Sequence, residues 1–361
     1  MFFVDAHLDL AYNALYHGRD LTASVAEVRQ SDAARKNRDP AAAKRRGVAT
    51  TTFPALRDAG VGLVFGTLFV APASHPDVTP GRPHSYRDAD EAFRYAMAQL
   101  DYYHRLGDEQ EQIRLVTDLT TLEEVVASHD EDGPSLLGVV PLMEGADPIR
   151  EPAEAELWYE RGLRLIGPAW DDTRYAPGAW RAGGRLTKDG HRLLEVMADL
   201  GFILDLTHMS EEASLEACQR YEGVLVATHS NARALVPGER QFSDSQIQAV
   251  AERDGVIGVV LYNKFLKAGY RQGDPRQTVT VADVVAHIDH ICQLCGDAAH
   301  VGIGSDFDGG FGLADLPSGI DGHAYWPAVA QALAEYGYQP DHIDAIMGGN
   351  WLGVLRRALD G

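Results

Sequence analysis

Eight apolar runs of strand length recur along this 361-residue chain, at 2–10, 61–70, 136–143, 163–167, 202–207, 224–228, 256–261 and 301–305. Between most of them the apolar positions recur at helical spacing, which predicts helices at 88–106, 151–161, 188–200, 211–220, 244–252, 280–294 and 350–359. Gly201 is placed to end the third of these helices, as a residue that tolerates positive φ, and Ser243 with Asp244 reads as the N-cap of the fifth. Residues 12–60 are polar and irregular, with Arg35, Lys36, Arg38, Lys44, Arg45 and Arg46 set among alanines. That cluster reads as a solvated segment, with an insertion folded over an anionic substrate as the sharper alternative. Buried strands alternating with helices predict an α/β fold, a (β/α)8 TIM-type barrel enlarged by insertions and forming one domain over 1–361. A doubly wound sheet is the runner-up, but no Gly-x-Gly-x-x-Gly follows a strand to support a dinucleotide site.

Composition narrows the partners. With 45% hydrophobic residues the chain has enough apolar material for a large core, and 32 basic against 53 acidic residues give a formal charge of −21. That charge opposes binding to nucleic acid or to an anionic membrane, and favours a small-molecule substrate. No run of about 18 apolar residues is available to span a bilayer, and no signal-peptide pattern precedes the first strand, so the expected compartment is the cytoplasm. Cys218, Cys292 and Cys295 are too few for a disulfide framework and read as thiols on helix faces. Whether the chain pairs as a homodimer is left open at this level.

The candidate chemistry lies where strands end. His7 and Asp9 close the first apolar run one residue apart, and side chains at i and i+2 of a strand share a face. The same His-x-Asp spacing occurs at His75/Asp77, His287/Asp289 and His342/Asp344. The first of those lies in a Pro-rich loop and the other two in helical patterns, where i and i+2 diverge. Glu144 ends the third run, His208 the fifth, His229 the sixth and Asp306 the eighth. In a barrel of this type the reactive groups sit at the C-terminal ends of the strands, so six ligand-type residues from five strands converge. Three histidines with three carboxylates suit zinc, one carboxylate bridging two ions that lower the pKa of a shared water and polarise the carbonyl it attacks.

The residues around these positions carry a resemblance. Asp5-Ala6-His7-Leu8-Asp9, Glu144-Gly145, Asp205-Leu206-Thr207-His208-Met209-Ser210, Thr228-His229-Ser230-Asn231, Gly304-Ser305-Asp306-Phe307-Asp308-Gly309 and Gly348-Gly349-Asn350-Trp351-Leu352 follow one another in the order of the membrane (renal) dipeptidase family of the amidohydrolase superfamily. The resemblance spans nearly the whole chain. It implies a zinc dipeptidase, with dipeptides carrying a C-terminal D-residue among its substrates. It further implies His7, Asp9 and Glu144 on one zinc and Glu144, His208 and His229 on the other, with Asp306 moving the proton of the attacking water to the leaving amine. Arg240, eleven residues after His229, falls where the family holds the substrate carboxylate, a role that bidentate guanidinium pairing supports. Tyr262 is a further substrate contact.

One position departs from the family pattern. The end of the fourth strand usually carries a histidine that steadies the carbonyl oxygen, and Trp170 stands there. Indole donates one hydrogen bond and carries no charge. Either another group replaces the histidine, with Arg174 and His191 as candidates, or the substrate differs from an ordinary dipeptide. The alternatives to a dipeptidase are therefore a related deacylase or lactonase, or a metal-binding homologue without turnover.

Overall fold

The structure, a computed structural model, describes residues 1–36, 47–75, 85–130, 135–180 and 183–360. Parallel strands pair in the order β1 (Phe3–Leu8), β2 (Val61–Phe69), β6 (Leu137–Glu144), β7 (Leu165–Gly167), β8 (Ile203–Asp205) and β9 (Leu225–Val226). The short β5 (Ile113–Leu115) takes the first half of one edge of β6, and β7 takes the second half. β10 (Ile257–Val259) pairs in parallel with β11 (Val301–Ile303), and β3 (Ala71–Pro72) with β4 (Ser85–Tyr86). β1, β2 and β6 are buried along their whole length, as the unbroken apolar runs require of strands covered on both faces.

The eight long runs are all strands of this α/β fold, but they do not join into one closed ladder. β9 meets β10 through a single bridge, Ala227 to Ile257, and β11 meets β1 where Asp306 N–H donates to the His7 carbonyl at 3.2 Å. The physical reason lies in where the strand-end amides go. Thr228 N–H and Thr207 N–H both donate to Asp205 Oδ1 at 3.0 Å, and Ser305 N–H donates to Asp5 Oδ1 at 2.8 Å. Amides held by buried carboxylates cannot also bond a neighbouring strand.

Helices match the expected spacing closely. Ala89–Glu109 is capped by Asp88, Lys188–Leu200 ends on Gly201 at φ 79°, Glu211–Arg220 starts after Ser210, and Asp244–Ala251 carries a capping box from Ser243 to Gln246. The expected helix at 151–161 is a 3-10 turn, Pro152–Glu154, followed by Ala155–Glu160. The stretch at 12–60 differs from expectation, since it contains Leu10–Tyr16, Val25–Lys36 and Phe53–Asp58. Val25–Lys36 has little apolar stripe to announce it; it is held instead by Arg19, whose buried guanidinium pairs with Asp32 at 2.9 Å. Arg35 donates to the carbonyls of His17 and Gly18, while Arg38, Lys44, Arg45, Arg46 and the Asp77 of the loop motif lie outside the described residues. Among the described residues no helix is long and apolar enough to cross a membrane.

Candidate metal centre

Each reactive side chain sits at or just past the C-terminal end of a parallel strand. Glu144 is the last residue of β6, His208 and His229 stand three past β8 and β9, and Asp306 stands three past β11. The turns are sharp: His208 and Asp306 have positive φ of 68° and 58°, a region that non-glycine residues seldom occupy. That conformation folds each strand end inward. Gly309 is required beside Asp306, because a Cβ there would lie 1.9 Å from Asp306 Oδ1.

The side chains converge on Glu144. Its Oε1 lies 2.9 Å from His208 Nε2 and 3.5 Å from His229 Nε2, and its Oε2 lies 3.6 Å from His7 Nε2. His7 Nε2 is 4.0 Å from Asp306 Oδ1. His7, Glu144 and His229 offer three ligand atoms within 4.8 Å of one another, and all three residues are buried. Asp9, Asp306, Arg240, Tyr262 and Trp170 line the same cavity, about 690 Å³ in volume, with Glu144, His208 and His229.

A donor set with unfinished bonding is what a metal site leaves behind when only protein atoms are counted. His7 Nε2 and His208 Nδ1 are buried without a hydrogen-bond partner, and His208 Nε2 faces His229 Nε2 at 3.0 Å. The tautomers follow from Thr228. Its hydroxyl donates to Asp205 Oδ2 at 2.6 Å, so its lone pairs receive the Nδ1 hydrogens of His229 at 3.0 Å and His7 at 3.3 Å. Both rings are thereby turned with Nε2 toward Glu144, the orientation a metal ligand needs. The residues present fit a cation.

The electrostatics agree. Burial would depress His7, but the charge of Glu144, with those of Asp306 and Asp9, pushes it up to about 9. Burial would raise Glu144, yet His7 and His208 hold it well below the usual carboxylate range. Asp9 is pushed up to about 7, first by burial and then by the Glu144 charge, and Asp306 rises well above a normal carboxylic acid for the same kind of reason. Burial and the Arg240 charge lower His208 to about 4, while burial and His7 lower His229 well below an ordinary imidazole.

Arg240 is buried beside these histidines, donating to the His229 carbonyl at 2.8 Å and to Ser230 Oγ at 3.3 Å, and its Nε has no partner. Burial lowers its guanidinium to about 10. Tyr262 stacks on Phe311 at 4.3 Å. Trp170 packs edge-on to Phe69 at 5.0 Å and lies 4.7 Å from the His75 ring. The two candidates for a replacement donor are elsewhere: Arg174 donates to the Arg150 carbonyl, and His191 faces Glu216 at 3.6 Å.

Sequence reasoning missed the residues behind the site. Thr67 donates to Asp9, and buried Asp5 takes Ser305 Oγ at 2.5 Å and His323 Nε2 at 2.9 Å. Asp308 receives the amides of Thr50 and Thr51, tying the 12–60 stretch to the loop that carries Asp306. A signal for two of these was present: Asp5 and Asp205 are acids inside apolar strands, and a buried carboxylate must be paired.

Comparison with known proteins gives a consistent result. The sequence profile described as membrane dipeptidase, peptidase family M19, matches residues 1–360. An uncharacterised protein from the pqqA 5′ region of Klebsiella pneumoniae is 34% identical over 230 residues, covering 61% of this chain and 82% of that protein. Dipeptidase aclJ of Aspergillus oryzae is 29% identical over 317 residues, 84% of this chain and 68% of that protein. The crystal structure of dipeptidase AC, a metallopeptidase of family M19, aligns with a TM-score of 0.77 at 25% identity, covering 100% of this chain and 99% of its own.

Proposed function

This chain belongs to the membrane dipeptidase family, peptidase family M19, and from that premise we propose a dipeptidase that uses two zinc ions bridged by Glu144 within one (β/α)8 barrel domain spanning 1–361. The observation that carries the bridge is the split of the Glu144 carboxylate, one oxygen toward His208 and His229 and the other toward His7. His7 and Asp9 would hold one ion, and His208 and His229 the other. Zinc, when bound, supplies Lewis acidity that makes water a nucleophile near neutral pH and polarises the scissile carbonyl.

The protein groups do the rest. As water adds to the carbonyl carbon, Asp306 takes its proton and passes it to the amine nitrogen while the C–N bond breaks. Its carboxylate lines the cavity 4.0 Å from His7 Nε2, within reach of a water held there. Arg240 pairs with the free C-terminal carboxylate, and Tyr262 and Trp170 border the substrate. The proposed compartment is the cytoplasm, supported by three cysteines that are all free.

The deciding experiment assays the zinc-loaded protein on dipeptides with L- and D-residues at the second position, free and amidated. Amidating the carboxylate should cost about 2–5 kcal/mol in kcat/KM, the range for unpairing one partner of a desolvated ion pair. Arg240→Ala should erase that difference. Equal rates on free and amidated dipeptides would favour the second reading, a related amidohydrolase acting on a non-peptide substrate, which rests on Trp170.

Zinc uptake should also release protons. In the metal-free protein His7 holds its proton up to about pH 9 and Asp9 up to about pH 7. Metal must displace both, so affinity should rise as pH increases through 7 and flatten above 9. Calorimetric zinc titrations at pH 8 in buffers of different ionisation heat should report net proton release. Uptake with no proton release would contradict this assignment of His7.

A further inference from the structure

The cavity has two aromatic walls. One is Phe69 with Trp170; the other is Trp180 with Phe265, whose ring centroids are 6.3 Å apart, continued by the Tyr262 and Phe311 stack that meets Phe265. The second wall adjoins Arg240, whose guanidinium carbon stands 5.4 Å from the centre of the Phe265 ring. Trp180 lies 6.2 Å from His208 and is 43% exposed.

The backbone leading into Trp180 is held. Ala179 N–H donates to the His208 carbonyl at 2.7 Å, Gly178 bridges Met209, and Gly178 N–H donates to Asp172 Oδ1 at 2.9 Å. Phe265 is held likewise, its carbonyl accepting from Asn231 Nδ2 at 3.1 Å and Gln241 Nε2 at 3.2 Å. Two aromatic side chains therefore stand at the cavity, one on a held backbone and one directly after it, next to the proposed carboxylate anchor and with apolar surface still open to solvent. A ligand that covers them gains the burial that the fold leaves unused.

We infer that Trp180 and Phe265 form the subsite for the side chain of the substrate's C-terminal residue, selecting dipeptides with an aromatic or large aliphatic group there. This rests on the dipeptidase reading and on Arg240 as its carboxylate anchor. The side chain branches from the carbon that bears that carboxylate, so a carboxylate held by Arg240 brings the side chain against the Phe265 and Trp180 rings. The Phe69 and Trp170 wall is left to the other residue.

The test compares kcat/KM of the zinc-loaded enzyme for Ala-Ala, Ala-Leu and Ala-Phe, with L and D second residues. Ala-Phe should exceed Ala-Ala by roughly 10- to 100-fold, the range for filling an apolar pocket, expressed mainly in KM. Trp180→Ala should collapse that ratio, and Trp180→Phe should restore most of it; matching thermal melts would show that neither change disturbs the fold. Equal rates for Ala-Ala and Ala-Phe, or a preference that survives Trp180→Ala, would overturn the inference and leave the dipeptidase reading standing. Failure to cleave any dipeptide would remove that reading and the inference with it.

Discussion

Glu144→Gln is expected to empty both metal positions and lower dipeptide turnover by about 10²–10³-fold or more, the scale of removing a main electrostatic stabiliser of the transition state. The side chain keeps its shape, so the effect isolates charge. Glu144 is the only carboxylate within 4 Å of all three ring nitrogens, His7, His208 and His229 Nε2, among the described ion pairs. A neutral amide offers one oxygen and one NH2, and the NH2 would face a cation or a ring nitrogen with the wrong polarity. Metal analysis after dialysis, together with kcat/KM, measures the outcome. Loss of a single ion with the other retained would show that Glu144 serves one metal and does not bridge.

Asp306→Asn separates chemistry from assembly. The site offers His7, Asp9, Glu144, His208 and His229 as donors without it, so most of the metal should stay bound. Turnover should fall by about 10²–10⁴, the usual contribution of a general acid–base group. The backbone role of Asp306 should survive the change: its N–H donates to the His7 carbonyl, its carbonyl accepts from Gly309 at 3.0 Å, and Asn tolerates positive φ nearly as well as Asp. Metal content and single-turnover rates measured on the same samples decide the matter. Parallel loss of metal and rate, with normal turnover per bound ion, would mark Asp306 as a ligand instead.

Much of the candidate centre was legible because its rules are local. An apolar run that ends in His, Asp or Glu can be recognised in one dimension, and so can helix caps such as Ser243 and stops such as Gly201. The resemblance to a known family then supplied the pairing of residues with ions, the role of Asp306 and the position of Arg240. Trp170 was visible as a departure, but not where its ring lies, since that depends on Phe69 at the end of β2 and His75 in the segment after β3.

What the sequence by itself determined, then, is the eight main strands, most of the helices between them and which ligand types stand at strand ends; hydrophobic periodicity and capping act over a few residues and need no partner, whereas a helix such as Val25–Lys36 that lacks an apolar stripe is not announced. Only the tertiary structure decided how those ends are aimed. The ring orientation of His7 and His229 depends on Thr228 and Asp205, and Asp5 is matched by His323, 318 residues away. The ladder opens beside β9 and β11 because those same buried acids take the amides that a regular sheet would use. A buried carboxylate announces that it needs partners, but which groups meet it is set by the packing of the whole chain.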